Sequence, residues 1–107
     1  MKLLLKWKIW RIEAGLKALL KAAGVKPHVW SFGAYYIDPK HMVFVVGVQT
    51  DVEKTRLKAN SSFNNEMQAL LINYNWPVIA RESVLFDIES QETVDRETNG
   101  HWWHHYK

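Results

Sequence analysis

The last sixteen residues, "ETVDRETNGHWWHHYK", hold three histidines (His101, His104, His105) and the carboxylates Glu92, Asp95 and Glu97. Two chemistries could use these types. Imidazole nitrogens four residues apart can share a metal ion when they lie on one helix face. A carboxylate that orients an imidazole makes a general base, and Asp95 with His104 would be that pair in a small hydrolase. Both readings depend on how the segment folds.

Asn99 and Gly100 predict a type I′ hairpin turn, which needs positive φ at both central residues. The register then sets Thr98 opposite His101, Glu97 opposite Trp102, Arg96 opposite Trp103 and Asp95 opposite His104. On a strand His101 and His105 stand roughly 13 Å apart, at ~3.3 Å per residue, too far for one ion. His104 and His105 face opposite ways. Asp95 and His104 would be neighbours, but Ser90 and Thr93, the nearest hydroxyls, lack a nucleophile's setting. An acid and an imidazole on adjacent strands are also an ordinary cross-strand pair. No metal, cofactor or catalytic residue is therefore expected, and the stretch reads as a surface. Glu89, Glu92, Asp95, Glu97, Trp102, Trp103 and His104 would present charge beside aromatic area to a partner, since interface hot spots combine such groups. The same carboxylates could also serve to keep an exposed strand from pairing.

The elements that position this stretch follow from periodicity. Leu5, Ile9, Ile12, Leu16, Leu19 and Ala23 mark the core side of a helix over 2–24, stopped by Gly24 and Pro27. Leu3, Trp7, Trp10 and Ala14 form a second apolar stripe, more than a lone domain needs. It predicts a secondary interface, to a second copy or to another partner. Leu3, Leu5, Trp7 and Ile9 also alternate with lysines, which leaves a short strand open for residues 2–10. "HVWSFGAYYI" (28–37) and "HMVFVVGVQ" (41–49) read as a hairpin of strands, the second apolar on both sides and so central. Gly33 and Gly47 within them imply bulges or close backbone approach. Trp30, Phe32 and Trp76 read as core, and His28 and His41 as structural or solvated. Thr50 with Glu53 forms a capping box that opens helices over 51–75, with a break near Asn60 and a restart at Ser61. Pro77 ends them, "VIARESVLFDIES" returns as a strand, and the chain end adds more. The expected fold is a single α+β domain over 1–107, order α-β-β-α-β-β, with an antiparallel-rich sheet covered by the N-terminal helix and a central helix pair.

The chain has 107 residues, a net charge of +3 and no cysteine. That length supports one core. The lack of cysteine removes disulfides, thiolate metal sites and a cysteine nucleophile, and fits the cytoplasm. Lysines interrupt each apolar run at the front, so neither an export signal nor a transmembrane segment is expected. Charge is divided: residues 1–27 carry seven Lys or Arg against Glu13, and residues 82–100 six carboxylates against Arg96. The basic front helix could serve a nucleic acid or a membrane surface.

"ESQETVDRETNGHWWHHYK", preceded by "YYIDPKHMVFVVGVQTDVEKTRLKA", resembles small bacterial proteins of toxin and immunity loci, of the kind that protect against contact-dependent growth inhibition. The likeness runs over residues 28–107, and the basic, tryptophan-bearing front end departs from it. It implies a non-enzymatic inhibitor that binds the cognate toxin domain of its locus and blocks its active site or substrate access. Many such toxins are nucleases with basic clefts, which an acidic stretch would complement.

Overall fold

The computed structural model describes residues 2–106, with Lys2 and Leu3 described by their backbone alone. Helix α1 spans Lys2–Ala22, so the opening residues are helical rather than extended. Leu5, Ile9, Ile12, Leu16 and Leu20 are buried along it, while Leu19 and Ala23 pack at the margin. Gly24, at φ 77°, takes the left-handed turn that ends the helix, and the Val25 amide donates to the Leu20 carbonyl at 3.0 Å.

Strands β1 (His28–Phe32) and β2 (Val43–Val48) are the expected antiparallel pair, in a register running from His28 opposite Gly47 to Phe32 opposite Val43. The first strand stops five residues short of its expected end. At Gly33 the backbone turns to φ 118°, and a Cβ there would lie 1.9 Å from the His41 carbonyl oxygen, so only glycine fits. Residues 39–41 then make a turn of 3-10 helix capped by Asp38.

After β2 the Thr50 box opens α2 (Asp51–Ala59), with Thr50 accepting from the Glu53 amide at 3.1 Å and Glu53 accepting from the Thr50 amide. Asn60 ends α2 and caps α3 (Ser61–Asn73), accepting from the Phe63 amide at 3.0 Å. This helix pair is a crossover, and it delivers β3 (Leu85–Ser90) parallel to β2. The sheet, in order β1-β2-β3, is therefore mixed, one pair antiparallel and one parallel, instead of antiparallel-rich. Residues 78–83 form 3-10 helix, so the strand expected from residue 78 begins at Leu85.

The chain end departs most from expectation. It holds two helices, α4 (Gln91–Thr98) and α5 (Trp102–His105), and no hairpin. Asn99 and Gly100 do adopt positive φ, 54° and 86°, as the turn argument required. Those dihedrals also terminate a helix, and that is their use here: the Asn99 and Gly100 amides both turn back to the Val94 carbonyl. Thr98 and His101 still meet, the His101 amide donating to the Thr98 carbonyl at 3.3 Å, but the pairs expected beyond them, Glu97–Trp102, Arg96–Trp103 and Asp95–His104, are not formed.

The two sides of the sheet differ. Phe44, Val46, Val48 and Ile88 pack with Ile12, Leu16, Met67, Leu71 and Trp76 from the helices in one apolar core. Trp76 is fully buried, edge-on to Phe44 at 6.4 Å. On the other side, His28, Trp30 and Phe32 of β1 alternate outward with Asp87 and Glu89 of β3, and α5 covers them.

Candidate interaction surface at the C-terminal helices

Parallel pairing brings the ends of β2 and β3 side by side, and α2 and α4 begin there. Their first turns are interlocked. Ser90, the N-cap of α4, accepts from the Thr93 amide at 3.0 Å and donates its hydroxyl to the Asp51 carboxylate. Thr93 Oγ1 donates to the same carboxylate at 2.8 Å, and Arg96 reaches it through Nη1 at 2.6 Å. In return Glu92 of α4 accepts from the Asp51 amide at 2.6 Å. Each helix start, which attracts negative charge, is thus served by a carboxylate of the other. The donors from Ser90, Arg96 and Thr93 hold the Asp51 carboxyl well below the usual range, and Asp51 in turn raises Arg96.

One strand position earlier, Glu89 is 8% exposed and lies between the side chains of Lys54 and His105. Lys54 Nζ donates to it at 2.7 Å, and His105 Nε2 sits 2.9 Å from its other oxygen. Burial pushes the Glu89 carboxyl up, but the Lys54 hydrogen bond, the Ser90 amide and the charges of Lys54 and His105 carry it below its ordinary value. The second nitrogen of His105 meets Glu97 at 3.1 Å.

Aromatic contacts seat α5 on the sheet. Trp102 stacks on His28 with centroids 5.1 Å apart and donates its indole N–H to Gln91 at 2.6 Å. Tyr106 lies edge-on to Trp30 at 5.4 Å and donates to Asp87 at 2.6 Å. Burial, the Asp87 bond and the charges of Asp87 and Glu89 raise the Tyr106 hydroxyl's pKa. Trp30 Nε1 is buried without a hydrogen-bond partner beneath this cover.

The residues picked out from sequence therefore divide. Glu89 and Trp102 are tied into the fold, and Glu97 supports His105 while remaining largely exposed. Asp95, Trp103 and His104 are exposed on the outer edge of α4 and α5, and Glu92, exposed there too, also holds the Asp51 amide. Asp95 accepts from Gln91 Nε2 at 2.8 Å, whereas the His104 ring lies against His101 with centroids 5.5 Å apart. The cross-strand Asp95–His104 pair is thus replaced: no hydrogen bond joins the two among the described residues. His101 and His105 are one helical turn apart rather than ~13 Å along a strand, with the His105 amide bonded to the His101 carbonyl at 3.2 Å. Even so, His105 turns inward to Glu89, and among the described residues no group of three His, Asp or Glu is arranged to hold a metal ion.

Asp51, Lys54, Thr93, Arg96 and His105 were not legible as a unit. The local signal for α4 was present: Ser90 is a good N-cap, Glu92 suits a first turn, and Asn99-Gly100 suits a helix end. What joins α4 to α2 spans 45 residues of chain, from Asp51 to Arg96.

No family model, curated protein or solved structure matches this chain.

Proposed function

We propose that this chain is a protein inhibitor of the immunity type, binding a basic cognate toxin domain, of nuclease class, through the outer edge of α4 and α5. The observation that carries the reading is the division of labour in the terminal stretch. Its inward groups are consumed by the fold, while Glu92, Asp95 and Glu97 keep exposed carboxylates on α4, and α5 carries Trp103, which is 61% exposed. Exposed carboxylates speed the encounter with a basic cleft, and an exposed indole on the neighbouring helix supplies apolar contact area. The resemblance to immunity-locus proteins supplies the partner class.

The test is binding of the toxin domain encoded beside this gene. In a Glu92→Lys, Asp95→Lys, Glu97→Lys variant the association rate should fall at least tenfold at low salt and converge on wild type at high salt. Trp103→Ala should weaken affinity by about 2 kcal/mol, chiefly through faster dissociation. Unchanged rates and affinity in both folded variants would remove the α4–α5 edge as the binding surface.

A further inference from the structure

Helix α1 has a second side that the core does not use. Leu4, Trp7 and Trp10 are 54%, 51% and 61% exposed, and Ala14 and Ala18 continue the row in the open. At ~100° per residue Trp7 stands half a turn from Leu16, so this row points directly away from the core. Leu3 was expected in the same row, and its side chain lies outside the described set.

The charges around the row have one sign. Within Lys2–Ala22 there are six Lys or Arg and one carboxylate, Glu13. Glu13 is turned aside, accepting from the Ser31 hydroxyl at 2.8 Å on β1. Lys6, Lys17 and Lys21 are exposed along one margin of the row. Arg11, ~40° from Trp7 and so within the row, lies over the Trp7 ring at 5.7 Å and the Tyr74 ring at 5.4 Å, and on the other margin Lys8 donates to the Asn75 carbonyl at 2.7 Å. These contacts hold the Trp7 turn against the end of α3. The result is a fixed apolar ridge, ~21 Å long at 1.5 Å per residue, with basic side chains beside it.

We propose that this ridge docks on an anionic phospholipid surface, with α1 lying in the plane of the interface. Leu4, Trp7 and Trp10 enter the headgroup layer, where the amphipathic indole is well suited, and the lysines meet lipid phosphates. The helix stays folded on its own core throughout, and among the described residues no helix is long and apolar enough to cross the bilayer. Charge decides between occupants. A second copy seated face to face would bring like-charged margins together, which opposes self-association. A nucleic acid would need a row of cations along its phosphates, whereas here the centre of the row is leucine, tryptophan and alanine.

The experiment is sedimentation of the intact protein with vesicles of phosphatidylcholine alone and of phosphatidylcholine with phosphatidylglycerol, across a salt series. Binding should require phosphatidylglycerol and fall as salt rises. Lys6→Gln, Lys17→Gln, Lys21→Gln together should lower partitioning roughly a hundredfold, at about fivefold per charge. Trp7→Gln with Trp10→Gln should abolish the blue shift of tryptophan emission on binding while circular dichroism remains unchanged. The proposal is overturned if wild type ignores anionic vesicles at low salt or if the lysine variant binds them as well as wild type. It is equally overturned if duplex DNA is bound more tightly than the vesicles, or if the free protein is a dimer that buries Trp7 and Trp10. This ridge and the α4–α5 edge are on different helices, so each reading stands or falls by its own variants.

Discussion

The two sides of the sheet are built on different principles. Beneath α1 and α3 the contacts are apolar and the charged side chains lie outside. Beneath α5 the cover is one turn of helix, and it is held by Glu89 between Lys54 and His105, by Tyr106 on Asp87, and by stacked rings. Burial of apolar area is tolerant of detail and scales with surface removed from water, whereas buried polar groups contribute only when each finds its partner. The first side should therefore carry most of the stability and the second most of the sensitivity to pH.

The largest effect should come from the apolar side. Phe44 is fully buried between Trp76 and Phe86, and Phe44→Ala should cost about 3–5 kcal/mol, read as a lower urea midpoint with little change in slope. A loss below about 1 kcal/mol would mean that this core is not the dominant one.

Next is Glu89→Gln, which leaves Lys54 and His105 facing an amide and should cost about 1–3 kcal/mol at neutral pH. Its folded pKa lies below the ordinary value, so the stability it supplies is present above about pH 4.5 and is lost as pH falls through the lowered value. Asp51 has the same sign. In urea titrations the gap between wild type and Glu89→Gln should narrow steadily below pH 4.5, and a gap independent of pH would contradict the assignment of the charge.

The smallest effect, about 1 kcal/mol, belongs to Tyr106→Phe, which removes the bond to Asp87. Tyr106 has a raised pKa, so its contribution is complete below about pH 10, where tyrosine ordinarily titrates, and declines above it. Wild type should lose its advantage over the phenylalanine variant on the alkaline side. An advantage that survived there would place the Tyr106 hydroxyl in water.

The same contrast explains what could be read from the chain. Helix α1, the Thr50 box, the restart at Ser61 and the doubly apolar β2 all rest on signals within a few residues, and each is where it was expected. Leu20 in place of Leu19 at the end of the core stripe is a small rotation. The terminal segment misled because Asn99-Gly100 satisfies two structures with the same dihedrals, and Trp-Trp-His-His-Tyr has strand propensity. Tertiary contact went with the helix: with α5 across β1, Trp102 stacks on His28 and Tyr106 meets Trp30. Of the proposed surface, Glu92, Asp95 and Trp103 could be picked out as charge and aromatic area. Nothing near Glu89 in sequence announces that Lys54 will neutralise it.

The interlocked starts of α2 and α4 bear on how the protein is made. A ribosome delivers Asp51 well before Ser90, Thr93 and Arg96, the groups that hold its carboxylate in the finished fold. Until they arrive, β2 also lacks the parallel partner that β3 provides. The front half can form α1 and the β1–β2 hairpin during synthesis, but one edge of its central strand stays open to other chains. Completion waits for β3 and for Ser90, Thr93 and Arg96, so a chain cut short before Ser90 would yield a product prone to aggregate rather than a smaller working domain.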